Sequence, residues 1–305
     1  MRIRFRGIAV REGVLIHGPG GWGEFSPFWD YDAGESAPWW HCAVEAAEDA
    51  WPAPVRDTVP VNVTIPAVGP DRAAELVRAS GGCRTAKIKV AEPGQSEADD
   101  LSRVEAVRDA LDPGGHVRID ANAAWDVDTA VRRIRALDAA AAGLEYVEQP
   151  CLTLGELREV RRRVDVPIVA DESIRRAEDP LKVRLAGAAD IAVLKVGPLG
   201  GVRAALEVTE RCGLPVVVSS TLETSVGMAA GVALAATLPE LPYACGLATV
   251  ALLTHDVVAQ PLLPVDGALP VRRPAPDLAL LAAVVADEAT QARWRARIAA
   301  VEELG

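Results

Sequence analysis

From about residue 59 the chain alternates between short runs rich in β-branched residues and longer Ala/Leu/Arg stretches of helical period. That alternation is the pattern of repeated βα units around a parallel sheet. It predicts strands over 59–67, 85–90, 116–122, 144–149, 167–173, 191–196, 215–221 and 243–247, with helical stretches such as 96–111, 127–141, 201–211 and 224–236 between them. Eight such strands predict an α/β fold of the (β/α)8 TIM-barrel type.

The ends of the chain read differently. Residues 1–58 hold two strand-like segments, 2–10 and 13–18, then a Gly/Trp/Pro-rich loop and a helical run over 40–50; the tail from about 250 is strand-like over 257–262 and helical over 278–301. The expected organisation is a catalytic barrel over 59–249 under a small α+β capping domain, built from 1–58 with 250–305 packing back on it. Five of the seven tryptophans (Trp22, Trp29, Trp39, Trp40, Trp51) fall in the first part. Large aromatics are chiefly core material, so most are expected to pack this lobe, with a lid touching substrate as the alternative.

Composition narrows the function. Half of the 305 residues are hydrophobic and a quarter charged, ordinary for a globular chain able to bury a sizeable core. A net charge of −11 has the wrong sign for a phosphate backbone, and the run Arg161, Arg162, Arg163 sits late in a helical stretch, where cations complement the helix dipole, so nucleic acid is excluded as a partner. The five cysteines (Cys42, Cys83, Cys151, Cys212, Cys245) are scattered and form no C-x-x-C, which points away from disulfide frameworks and zinc clusters. No stretch reaches the ~20 apolar residues of a membrane span, and Met1 opens directly onto a strand-like segment, so a cytoplasmic protein without a membrane partner is expected.

In a barrel of this type the C-terminal strand ends form the active-site face. The second predicted strand ends in Lys87-Ile-Lys89, the third in Asp120-Ala-Asn122, the fourth in Glu148-Gln-Pro, the fifth in Asp171-Glu172-Ser and the sixth in Lys195. Five consecutive strands thus carry ionisable groups to one face. One strand-end Asp is commonly a helix cap. Three carboxylates one βα unit apart, Asp120, Glu148 and Asp171, would converge and repel unless a cation sat among them, and oxygen ligands without His or Cys select Mg²⁺, with Mn²⁺ a possible substitute. Lys87 and Lys89, two apart on a strand, share a face. A lysine beside another lysine and a divalent ion has a disfavoured cationic form, which makes Lys89 the expected base.

Together, Lys87-Ile-Lys89, Asp120-Ala-Asn122 with Trp125, Glu148-Gln-Pro, Asp171-Glu-Ser and Lys195 before Gly200-Gly201 resemble the enolase superfamily, in its muconate-lactonizing-enzyme-like subgroup. Gly21-Trp-Gly-Glu-Phe-Ser-Pro-Phe and Ser219-Ser-Thr-Leu-Glu-Thr-Ser-Val-Gly227 are similar to a dehydratase branch of it that serves menaquinone biosynthesis. The resemblance implies a small-molecule carboxylate substrate on the metal, proton transfer by Lys89, charge stabilisation by Lys195, Lys87 as a third catalytic lysine, and Asn122 and Glu172 in support. Ser219, Ser220 and Thr221 would bind a second carboxylate or simply cap the next helix, and Glu223 is ambiguous in the same way. A racemase acting on N-succinylamino acids, another racemase or cycloisomerase of the subgroup, and an inactive barrel scaffold are the competing readings. The segment before the first barrel strand is short for the superfamily, so reduced capping loops are expected. A monomer or weak homo-oligomer is expected.

Overall fold

The computed structural model describes residues 1–5, 7–175 and 181–304. A hairpin of β1 (Val14–Gly18) and β2 (Gly21–Phe25) pairs antiparallel and leads into α1 (Ala33–Glu48). A capping box starts this helix: the Asp32 side chain takes the Glu35 N–H at 2.8 Å and the Glu35 side chain takes the Asp32 N–H at 3.3 Å, satisfying two otherwise orphaned donors. β2 lies directly against the helix backbone at Gly23, where a Cβ would stand 2.0 Å from the Ala43 carbonyl oxygen.

After β3 (Thr58–Pro60) the chain builds β4 (Val63–Ile65), β5 (Thr85–Lys89), β6 (His116–Asp120), β7 (Leu144–Glu148), β8 (Ile168–Ala170), β9 (Ile191–Leu194) and β10 (Val216–Val218). The last seven pair in parallel, each with the next, as one curled sheet. Between them run α2 (Pro70–Arg78), α3 (Glu97–Ala110), α4 (Val127–Ala140), α5 (Leu154–Arg161), α6 (Glu172–Arg175), α7 (Leu181–Leu185), α8 (Val196–Leu199) and α9 (Val202–Cys212), and α10 (Ser225–Thr237) follows β10. β11 (Ala268–Pro270) pairs with β3, and α11 (Leu278–Ala283) and α12 (Glu288–Glu302) come after it.

Several expectations need correction. The eighth strand over 243–247 is not a full strand: Cys245 and Gly246 make single bridges to Val61 and Ser219. Their backbone nevertheless bonds both sheet edges, with Asn62 N to Cys245 O at 2.9 Å and Gly246 N to Val218 O at 2.8 Å. The run over 59–67 is two strands, because the chain changes partner after Pro60, from β11 to β5. Residues 2–10 hold only an isolated Phe5–Ile8 bridge, and 257–262 is not a strand; β2 forms where a loop was expected, and the C-terminal helical stretch is two helices.

Two apolar layers follow from the period-2 alternation of the strands. Outward residues such as Ile88, Ile119, Val147 and Ile168 pack under helices through Val104, Ile134 and Leu157. Inward, Tyr146, Val169, Ile191, Val193 and Val217 fill the sheet's concave side, with Arg118 fully buried 4.5 Å from the Tyr146 ring and donating to the Ala244 carbonyl at 2.6 Å. This packed layer lies two residues beneath the strand ends. A separate aromatic cluster joins the two ends of the chain, Phe25, Tyr31 and Trp39 meeting Trp294 and Val301 of α12.

Candidate active site

Register places the ionisable strand ends side by side. Lys89 pairs with Asp120 and Asp120 with Glu148, while Asp171 and Lys195 each follow the last residue of β8 and β9. The three carboxylates are at most 1% exposed and the three lysines 6%. Burying a charged group costs several kcal/mol, which pairing offsets, and each of these six groups has a partner of opposite type. Lys87 Nζ donates to both Glu148 oxygens at 2.8 and 2.9 Å, Lys89 Nζ to Asp120 and to Asn122 Oδ1 at 2.9 Å, and Lys195 Nζ to Asp171.

The electrostatics of this cluster are lopsided. Burial, then the neighbouring Asp120, pushes the Glu148 carboxyl up to about 7, although Lys87 opposes the shift. Burial would raise Asp120 as well, but Lys89 and Lys87 outweigh it and hold that carboxyl well below its usual range. Burial pulls the Lys87 ammonium down while Glu148 and Asp120 more than compensate, leaving it above an ordinary lysine. Glu148, flanked by two anions, is therefore the carboxylate most in need of further positive charge.

Contacts from outside the sheet hold this row in place. Arg103 of α3 donates to the Lys89 carbonyl at 2.9 Å and to the Val68 carbonyl at 2.6 Å, and Asp100, ion-paired to Arg103 at 2.9 Å, accepts the Ala91 N–H at 3.0 Å. The backbone on both sides of Val90 is thereby tied to α3. Gln149, at φ +39° in the left-handed region disfavoured for a residue with Cβ, uses its Oε1 to accept the Asp171 N–H at 2.9 Å. Asn122, at φ +46°, donates to Glu172 Oε1 at 3.3 Å.

Above the row opens a cavity of about 460 Å³, lined by Lys87, Lys89, Asp120 and Lys195 on the sheet side and by Ser219, Ser220 and Thr221 after β10. Ser220 Oγ lies 2.6 Å from Thr249 Oγ1, and Glu223 is committed to the Thr221 N–H at 2.8 Å. The far wall comes from the N-terminal segment through Phe28, Trp29, Asp30 and Tyr31, and it includes Arg11. The Arg11 guanidinium stacks 4.7 Å from the Phe28 ring and donates to the carbonyls of Ser26 and Thr221. Burial pulls Arg11 below the usual arginine value, countered by Glu24 and Glu223.

An enolase C-terminal domain-like family pattern matches residues 70–277, and an enolase N-terminal domain-like one matches residues 1–47. The chain belongs to the enolase superfamily. An o-succinylbenzoate synthase of Thermobifida fusca (strain YX) is 69% identical over 300 residues, covering 98% of this chain and 93% of that protein. An o-succinylbenzoate synthase of Mycolicibacterium smegmatis is 54% identical over 304 residues, covering 100% of this chain and 93% of that protein. The muconate lactonizing enzyme of Pseudomonas putida shares the fold, with a TM-score of 0.71 at 22% identity over 92% of this chain and 94% of that one.

Enolase superfamily members depend on a divalent metal. Among the described residues no three carboxylate, imidazole or thiol groups already form a cation cage, and each of the three strand-end carboxylates faces a lysine. The donor set nevertheless suits a hard divalent ion: three buried carboxylates on adjacent strand ends, with burial and two neighbouring anions raising the middle one. Arg11, Arg103 and Gln149 escaped the sequence reading. Arg11 lies in the irregular N-terminal stretch, and Arg103 looks like any helix-surface charge; for Gln149 the Glu-Gln-Pro motif was a usable signal. Glu24 of the Gly-Trp-Gly-Glu motif is half-buried, accepting the Thr224 and Gly227 N–H groups at 3.1 Å each and so clamping β2 onto the start of α10.

Proposed function

We propose that the chain is an o-succinylbenzoate synthase, converting 2-succinyl-6-hydroxy-2,4-cyclohexadiene-1-carboxylate to 2-succinylbenzoate and water. The observation that carries this reading is the 69% identity, over 98% of the chain, to a relative of that name, combined with a cavity whose floor is the lysine–carboxylate row. Asp120, Glu148 and Asp171 would hold Mg²⁺, with Mn²⁺ a substitute. When bound, the ion supplies positive charge against the substrate carboxylate as negative charge builds there.

The chain's own groups do the rest. Lys89 takes the proton from the carbon bearing the carboxylate, acting as the neutral amine favoured beside Lys87 and a divalent ion. The C–H electrons pass into the carboxylate carbon–carbon bond, where the Lys195 ammonium faces the developing charge. Collapse of that electron pair expels the ring hydroxyl, and Lys89 returns its proton to it on the same face, releasing water and an aromatic ring. Asn122 and Glu172 support Lys89 through the Lys89–Asn122–Glu172 hydrogen-bond chain. Arg11, with Ser219, Ser220 and Thr221, would take the succinyl carboxylate at the other end of the cavity. On this reading 59–249 is a barrel completed by Cys245 and Gly246, and 1–58 with 250–305 form its cap.

The purified protein with Mg²⁺ should produce the aromatic absorbance of 2-succinylbenzoate, and Lys89→Ala should not. Full activity in that variant, or none in the parent, refutes the assignment. Lys89 and Lys195 both reach the cavity, from strands on different sides of the curled sheet, an arrangement that also suits two-base racemisation of N-succinylamino acids. Exchange of the α-hydrogen in deuterated water reads that second activity directly.

A further inference from the structure

Residues 26–32, between β2 and α1, have no regular secondary structure, yet four of them wall the cavity. A segment that makes no ladder or helix bonds needs outside partners to keep one conformation. The turn from Phe28 to Tyr31 closes through a Tyr31 N–H to Phe28 carbonyl bond at 3.2 Å. Both of its end carbonyls are gripped from α12: Arg297 Nη2 donates to Phe28 O at 2.6 Å, to Tyr31 O at 2.8 Å and to Ser36 Oγ at 2.9 Å. The same turn of α12 fixes Trp29, whose ring lies 4.0 Å from the Arg293 guanidinium and 4.6 Å from the Trp294 ring.

We infer that Arg297 is a positioning residue for substrate binding, through which the C-terminal helix sets the far wall of the cavity. The line of contact runs from Arg297 to the Phe28 carbonyl, from the Phe28 ring to Arg11 at 4.7 Å, and from Arg11 into the cavity. Arg297 itself touches no substrate. Its loss releases the turn and lets Phe28 and Arg11 drift, which weakens binding while the lysine–carboxylate row, built on other elements, keeps its geometry. The inference rests on the proposed reaction for its substrate but not for its geometry.

The test compares the parent with Arg297→Met, Arg297→Lys and Ile298→Ala, the last loosening the same helix where it packs on the aromatic cluster. Arg297→Met should raise KM, and the Kd for 2-succinylbenzoate read by tryptophan quenching, about tenfold, with kcat within about threefold of the parent. Arg297→Lys should fall between the two. Ile298→Ala should lower Tm and leave KM within about twofold. An Arg297→Met protein with parental KM and Kd overturns the inference, and so does Ile298→Ala raising KM as much as Arg297→Met. A parent without turnover would instead refute the proposed reaction. Amide hydrogen exchange over 28–32 then decides the geometry alone: faster exchange in Arg297→Met than in Ile298→Ala supports the clasp, and equal exchange refutes it.

Discussion

Replacing Arg11 by Met tests the assignment of the two ends of the cavity. The side chain is a half-buried cation whose guanidinium bonds the carbonyls of Glu12, Ser26 and Thr221 and stacks on Phe28, its positive charge lining the cavity where a carboxylate can meet it. A hydrogen bond to a charged group contributes about 1.5–3 kcal/mol, and at about 1.4 kcal/mol per factor of ten its loss lowers kcat/KM roughly 10- to 150-fold. The contact is made equally in the ground and transition states, because the succinyl carboxylate does not react. The change should therefore appear in KM, with kcat little altered. The three lost backbone bonds add about 1.5–4.5 kcal/mol of instability, a Tm fall of several degrees or more. Steady-state kinetics with Mg²⁺ saturating, on protein shown to be folded at the assay temperature, measures both. Arg11→Lys keeps the charge without the planar guanidinium and should recover part of the affinity. A folded Arg11→Met enzyme with KM within about twofold of the parent would refute the placement of the succinyl group beside Arg11.

Three further outcomes follow from the same geometry. Lys89→Ala should lower kcat by about 10²–10⁴ with KM changed only a few-fold, measured by the same aromatic absorbance; a smaller loss would move the base elsewhere. Exhaustive chelation should abolish turnover, and Mg²⁺ or Mn²⁺ should restore it, with Glu148→Gln needing at least about tenfold more metal than the parent as one charged ligand is lost; an unchanged metal requirement would remove Glu148 from the ligand set. Arg103→Met, which frees the backbone of Lys89 without touching the cavity, should lower kcat about tenfold at unchanged KM, since misplacing a reacting group costs rate more than affinity; equal kcat would make Arg103 a packing residue only.

Much of the curled parallel sheet was legible because its strands obey a period of two and its βα units a steady length. The spacing of Lys89, Asp120, Glu148, Asp171 and Lys195 suffices to put them at successive strand ends; Lys89, Asp120 and Glu148 close their strands, and Asp171 and Lys195 stand one residue beyond theirs. The ends of the chain were far less legible. Their strands are short and their partners distant: β3 pairs with β11 some 210 residues away, and neither segment alone has a periodic signal strong enough to show it. The eighth predicted strand, over 243–247, shrinks to two bridged residues, because the short apolar run Tyr-Ala-Cys-Gly-Leu reports burial and cannot distinguish a strand from a two-residue bridge.

The sequence by itself determined which chemical groups reach the active face, since strand alternation is local and leaves a side chain only two directions. Only the tertiary structure decided how they meet. Lys87 is bound to Glu148 rather than chiefly to the nearer-strand Asp120, Lys89 is tied to α3 through Arg103, and the cavity is closed by Arg11 and braced by Arg297 from opposite ends of the chain. These pairings depend on the curl of the sheet and the docking of segments hundreds of residues apart, where side-chain complementarity and burial set the outcome and no local period records it.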